Sequence, residues 1–218
     1  MRPEPASTDD NSAARIDAFT DAAFAFAVTL LVIGGGDAPA SFDALRQAVW
    51  DIPAFAVGFA LIGMFWHAHL RWRRLCGSGD TASVLLTFSL VFLVLVYVYP
   101  LRIMAGSMVD YFRGQPSGLG GADLAGLFTL YGLGFAAMSA AVLGLFANGL
   151  RQLAGAGPTR SAVIGECVIW SLLCGSGLAS AALAQFRATA PFSPWVYSLL
   201  PVLIGLFAAR HDWTGERA

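Results

Sequence analysis

The sequence contains no lysine. Its positive charge rests on 13 arginines against 14 acidic residues, for a net charge of −1. A balance of that kind leaves no basic footprint, which excludes nucleic acid as a partner. No functional account of the missing lysine follows from the sequence. Charge of either sign is scarce, at 12% of residues, where a soluble domain carries about 25%. That scarcity excludes an ordinary soluble enzyme with a large core. The three cysteines, Cys76, Cys167 and Cys174, have no metal-ligand spacing. Cys167 and Cys174 share a helix face and read as packing residues. No cofactor or metal is expected. No T-V-G-Y-G run occurs, so a carbonyl filter of that kind is unsupported. The first 14 residues lack the apolar core of a cleavable signal peptide.

What the chain has in abundance is apolar length. It is 57% hydrophobic, with a mean hydropathy of +0.66, and its charges fall between apolar runs. Six runs are long enough to span a bilayer as helices. The expectation is an all-α integral membrane protein with a polar, disordered tail over 1–14, a six-helix domain over 15–210 and a short tail over 211–218. Helix 1 runs over 15–35 and stops at Gly34-Gly35-Gly36. Helix 2 covers 44–70, with Pro53 in its first turns. Helix 3 covers 82–101 and closes at Pro100, followed by a loop from Gly114 to Gly121. Helix 4 covers 122–148, with Gly126, Gly132, Gly134 and Gly144 as close-packing surfaces. Helix 5 covers 161–184, with Glu166 interfacial, and helix 6 covers 194–210. With the N-terminus inside, nine arginines fall on inner segments and four on outer ones, which supports both termini inside. Trp50, Trp72, Trp195, Tyr197 and Trp213 read as interfacial belt residues, as does His67, and Trp170 as packing.

The stretch Arg15–Gly36 organises the rest. From Ile16 to Ile33 it is apolar enough to cross a bilayer, yet it carries Asp17 and Asp21. A carboxylate at a helix centre in hydrocarbon costs roughly 2.5–3.5 kcal/mol, and less near the interface, so Asp21 demands a partner. At 100° per residue, Phe19, Ala23, Phe26, Leu30 and Ile33 form one stripe. Asp17, Asp21, Phe24 and Val28 lie opposite. Ala18, Ala22 and Ala25 make a smooth flank for close helix approach.

Helix 2 returns to the side on which helix 1 starts, so Asp21 and His69 lie at similar depth. Trp66 shares a helix face with His69. A charged His69 or an arginine would hold Asp21 ionised, or Asp21 would fix the imidazole tautomer, and Thr20 adds a hydroxyl. Arg15 stands six residues from Asp21, a poor intrahelical spacing, and is expected to reach another helix or subunit.

Two motifs carry a resemblance. The first is Arg15, Phe19-Thr20-Asp21, then Phe24-Ala25-Phe26 and Thr29-Leu30-Leu31. The second is Trp66-x-x-His69 followed by Arg71. They resemble the first two helices of the transmembrane protein 175 family, potassium channels without a pore loop. Thr20 stands where the family has Ser, and Phe26 where it has an aliphatic residue. Counting back from Pro100, Ser89 stands where the family has Asn on the third helix, with Thr87 nearby. The resemblance implies a homotetramer in a prokaryotic plasma membrane, passing K+ passively. It implies a pore lined by helix 1, with Phe26, Leu30 and Ile33 as the apolar constriction and Thr29 associated with selectivity. Expected partners are K+ ions, the lipid bilayer and further copies of the chain. The rival class is a proton-coupled transporter using Asp21 and His69. A membrane enzyme is not supported, because no second polar cluster at matching depth completes a catalytic centre.

Overall fold

The computed structural model describes residues 8–33, 40–50, 52–77, 80–114, 121–153, 155, 157–186 and 188–210. The glycine stop at 34–36, most of the loop after Gly114, residues 1–7, and the tail 211–218 with Trp213 lie outside the described residues. In chain order the elements are α1 (Thr8–Ile33), α2 (Phe42–Trp50), α3 (Ile52–Cys76), α4 (Thr81–Phe112), α5 (Gly121–Gln152), α6 (Pro158–Ala184), a 3₁₀ segment (Ala190–Leu199) and α7 (Leu200–Arg210). No strand occurs among the described residues. Five stretches are long and apolar enough to cross a membrane: Ile52–Cys76, Thr81–Val109, Asp123–Gln152, Pro158–Ala184 and Ala190–Ala209. The protein is therefore a multi-pass membrane protein, all-helical as expected.

Four expectations about the elements are corrected. Residues 8–14 are helical and extend α1, so the polar tail expected over 1–14 is not irregular throughout. The single helix expected over 44–70 is two, α2 and α3, and Pro53 sits at the second position of α3, where its missing N–H leaves no helical acceptor unpaired. Helix α4 passes through Pro100 and continues to Phe112. Helices in lipid tolerate this because neighbouring helices and local adjustments re-satisfy the freed carbonyl, and Val98 and Leu101 on either side are buried. The last span begins as a 3₁₀ segment carrying Pro191 and Pro194, where repeated proline interrupts the i→i−4 ladder.

Helix α5 is central, packing on α3, α4 and α6. Its tightest contact is with α6, through two small-residue pairs spaced i, i+4: Gly132 and Ala136 on α5, Gly177 and Ala181 on α6. A methyl built on Gly132 would stand 2.7 Å from the Gly177 carbonyl oxygen; one built on Gly177 would stand 2.7 Å from that of Gly132. Each backbone thus fills the space over the other's glycine, which is how helices gain contact in lipid, where hydrophobic driving force is absent. Phe65 of α3 joins this unit, its ring 5.8 Å from Phe135 and 5.4 Å from Trp170. Tyr97, Tyr131 and Tyr197 continue the aromatic column with centroid spacings of 5.4 and 5.7 Å. Trp72 is buried and Tyr197 packs against this core, so neither is the belt residue expected; Trp50 and Trp195 are exposed.

The helix ends are closed by side chains. Arg160 of α6 donates to the Leu150 and Leu153 carbonyls at 3.2 and 3.0 Å, capping the C-terminal end of α5, where a cation meets the negative end of the dipole. Asp80 accepts from the Ser83 hydroxyl at 2.5 Å at the start of α4, and from the Asn148 amide of α5 at 3.0 Å. Ser83 first, and then Asn148, hold its carboxyl down to about 2.

The glycine pair gives a test with opposite signs. Gly132→Ala gains helix propensity of about 1 kcal/mol but drives a methyl into backbone, an overpacking cost of about 1–3 kcal/mol. Gly126→Ala, where nothing lies within 4 Å, takes the gain alone. Thermal unfolding in detergent should show Gly132→Ala melting below the parent and Gly126→Ala at or above it.

Candidate functional site

Helix α1 has one sealed face and one open face. Thr20, Phe24, Ala27 and Leu31 are buried against α3 and α4, and Leu31 occupies the space over Gly58. Ala18, Ala22, Ala25, Phe26, Thr29 and Val32 are exposed. The sealed positions follow the 3.6-residue period, and the open face runs from Ala18 to Val32. Both threonines bond back along the helix: Thr20 donates to the Ile16 carbonyl at 2.8 Å and Thr29 to the Ala25 carbonyl at 3.0 Å. The hydroxyl protons are thereby satisfied without another element.

The carboxylates of α1 find partners on α3. Asp17 meets Arg73 in a two-pronged pair, Nε to Oδ1 at 2.8 Å and Nη2 to Oδ2 at 2.9 Å. The Nη2 hydrogen bond fixes orientation and the ion pair places the charge. One helical turn on, Asp21 Oδ1 accepts the Trp66 indole N–H at 2.8 Å. Trp66, His69 and Arg73 stand at i, i+3 and i+7 on α3, so one face of that helix carries all three. His69 is buried, and its Nε2 lies 3.3 Å from the Thr87 hydroxyl of α4. The Phe19 ring lies 5.4 Å from Phe88 of α4. A cavity of about 20 Å³, room for about one water, lies between α1, α3 and α4, with Asp17, His69, Ser83 and Thr87 on its walls. The opposite side of α3 is tied to α6: Arg71 Nε meets Glu166 Oε1 at 2.5 Å, and the Trp170 indole donates to Glu166 Oε2 at 3.2 Å.

Of the constriction residues expected from sequence, Phe26 is 55% exposed. Leu30 is half-buried and packs against the core, and the Ile33 side chain lies outside the described residues. The open face is centred on Ala18, Ala22, Ala25 and Thr29. It is offset by roughly 80° from the stripe Phe19–Phe26–Leu30–Ile33, at 100° per residue. The flank expected to receive another helix is the more open surface. Arg15 is exposed. The expected Asp21–His69 contact is replaced by two others: Asp21 bonds Trp66, and His69 bonds Thr87, while Thr20 bonds within its own helix. The third-helix partner is thus Thr87, while Ser89 bonds its own helix at the Leu85 carbonyl. Sequence reasoning missed the Asp17–Arg73 and Arg71–Glu166 pairs, and Glu166 is buried within the protein. The available signal was that every charge inside an apolar span claims a partner.

Residues 15–100 match the family model described as the endosomal/lysosomal potassium channel TMEM175. A potassium channel of Marivirga tractuosa is 38% identical over 100 residues, 46% of this chain and 40% of that protein. A potassium channel of Streptomyces collinus is 28% identical over 108 residues, 47% of this chain and 50% of that protein. The matches therefore span about half the length, or less, of these relatives. The fold matches a crystal structure of a variant of the potassium channel MtTMEM175 in complex with a nanobody–MBP fusion, with a TM-score of 0.79 at 24% identity over 96% of this chain and 97% of that one. The resemblance carried by the two sequence motifs is thus shown, and the matched segment holds α1, α3 and the Asp21–Trp66 contact.

These contacts predict which pairs couple. In double-mutant cycles read by thermal unfolding, Asp17→Asn with Arg73→Gln, and Asp21→Asn with Trp66→Phe, should each show a coupling of about 0.5–3 kcal/mol. Asp21→Asn with His69→Gln should add within about 0.5 kcal/mol. Strong coupling of Asp21 to His69 with none to Trp66 would contradict this arrangement.

Proposed function

We propose that this chain, a relative of the TMEM175 potassium channels over residues 15–100, is a subunit of a potassium channel giving passive K+ flux across a prokaryotic plasma membrane. The observation that carries the reading is the open face of α1. A helix clamped on one side by α3 and α4, and bare on the other along its whole apolar length, is suited to line a shared axis. The Phe19-Thr20-Asp21 motif occurs once in the chain, so a closed pore takes several copies, and four are expected by resemblance. In this reading α1 is the sixth span beside the five apolar ones, and both termini are cytoplasmic, consistent with the arginine asymmetry.

The proposed path uses two kinds of side chain. Phe26 rings from four copies form an apolar narrow point that closes by excluding water. Leu30 and Ile33 continue it outward, with Leu30 reaching the axis only if α1 turns from the core it now touches. Thr29, on the open face, has its proton engaged by Ala25 and so turns oxygen lone pairs outward. Those lone pairs suit a cation that has shed part of its water, which is the selectivity role proposed for it. Arg15, exposed at the start of this stretch, is proposed to meet a neighbouring copy. Leak-type conduction follows if no stimulus is needed to wet the Phe26 ring.

The rival, a proton-coupled transporter working through Asp21 and His69, is less favoured. Each group is bonded to a separate partner, Trp66 and Thr87, and among the described residues no direct hydrogen bond joins the two. The reading is of a transport protein, not an enzyme.

K+ flux from vesicles loaded with purified protein tests the reading. Basal flux should be low, and Phe26→Ala should raise it several-fold. Phe24→Ala, at a buried position, should cost about 3–5 kcal/mol of stability without raising flux. If Phe24→Ala opens a leak and Phe26→Ala only destabilises, α1 does not line the path in this orientation.

A further inference from the structure

Helix α1 meets α3 at both ends of their shared interface. At one end Asp17 pairs with Arg73 and Asp21 bonds Trp66. A further contact lies about 21 Å along α1 from Asp17, at 1.5 Å per residue, where Leu31 packs over Gly58. The order is antiparallel, Asp17, Asp21 and Leu31 on α1 against Arg73, Trp66 and Gly58 on α3, so all three belong to one interface. Leu31 and Gly58 are buried within the single chain, so further copies around it do not uncover them.

The seat exists because residue 58 has no side chain. A methyl built on Gly58 would stand 2.7 Å from Leu31 Cδ2 and 3.3 Å from Cδ1, closer than carbon atoms pack. The leucine fills that space instead, as small residues in lipid let a neighbour approach. Thr29 stands about 200° from Leu31 around α1, at 100° per residue, and so on the opposite side. Leu31 seated on α3 therefore aims Thr29 away from α3, onto the open face. The Thr29 hydroxyl bonds back to the Ala25 carbonyl, so its oxygen turns with the helix.

We propose that Gly58 is a positioning residue for selectivity: by seating Leu31 it sets the turn of α1 that presents Thr29 to the ion path. The inference rests on the reading of α1 as the pore-lining helix, and adds a residue that touches neither the ion nor the path. A side chain at position 58 unseats Leu31, and α1 turns at that end while the Asp17 and Asp21 contacts hold the other. Alanine is too mild a probe, because the tip of Leu31 can swing to another rotamer. Valine, branched at Cβ, fills the seat itself.

The test exchanges volume across the contact. Gly58→Val with Leu31→Ala moves bulk from α1 to α3 and keeps the total of side-chain carbons, the kind of swap that cores tolerate best. Full chains carrying either change, or both, are reconstituted in vesicles, and the K+/Na+ permeability ratio is read from the reversal potential. Gly58→Val should lower the ratio about twofold or more, Leu31→Ala should lower it too by emptying the seat, and the exchange should return it to within about 20% of the parent. Loss of stability alone reduces the amount of conducting protein and leaves the ratio where it was. A ratio unmoved by both single changes, or not restored by the exchange, would overturn the proposal. Where Gly58→Val alone does not fold, Leu31→Ala and the exchange carry the same comparison. A second measurement needs no flux: Thr29→Cys is labelled in vesicles by a small water-soluble thiosulfonate and read by peptide mass spectrometry. Its rate should change about twofold or more with Gly58→Val and return with the exchange. A parent that passes no K+ would overturn the channel reading, and the labelling then decides the seat by itself, an unchanged rate overturning it.

Discussion

Two carboxylates at the start of the apolar part of α1, residues 16–33, set the terms for this structure. Carboxylates set beside so much apolar surface need partners, and α3 supplies them: the Arg73 guanidinium for Asp17 and the Trp66 indole N–H for Asp21. The rest of that end of the molecule is arranged so that α3 can do this. His69 is held by Thr87 of α4, and Arg71 by Glu166 of α6, which also accepts from Trp170. Helix α3 is thus tied to three neighbours near one end, and α1 hangs on it through polar contacts that fix rotation about its own axis.

The other helices divide that work differently. Helices α5 and α6 pack backbone to backbone through Gly132 and Gly177, with Ala136 and Ala181 completing the contact. Such packing leaves little freedom to slide. Helix α1 has no comparable contact along its open face, and its sealed face is made of single side chains, Phe24 and Leu31, set against α3 and α4. A backbone-to-backbone α5–α6 unit thus stands beside a helix that is sealed by side chains on one face only. Ionic pairs at the end of α3 orient, and small-residue packing stabilises, because in lipid the second can proceed without water expulsion while the first cannot be left unmade.

Much of this was legible from composition and motif. Scarce charge and long apolar runs required an all-helical membrane protein, because only helices and closed barrels satisfy the backbone in hydrocarbon. Asp21, Trp66 and His69 could be named because polar groups on apolar runs stand out, and Phe24 because it lies opposite Phe26 on the wheel. The glycines of α5 could be flagged as packing surfaces, though not which of them meets a neighbour. Gly132 and Gly126 look alike in sequence; only the first has a backbone across from it.

What the sequence by itself determined is therefore the class, most of the helices and the residues that must find partners. The partners were decided by tertiary structure. Asp17 could have met any of several arginines, and Asp21 could have met His69; the rotation and depth of α3 against α1 gave Asp17 to Arg73 and Asp21 to Trp66. The same is true of Glu166, whose burial depends on where Arg71 arrives. The break between α2 and α3 was also decided there, although Asp51 and Pro53 stand at it in the sequence. Local periodicity records which face of a helix is apolar, and it carries no information on the angle at which two helices cross. That angle settles which polar groups meet.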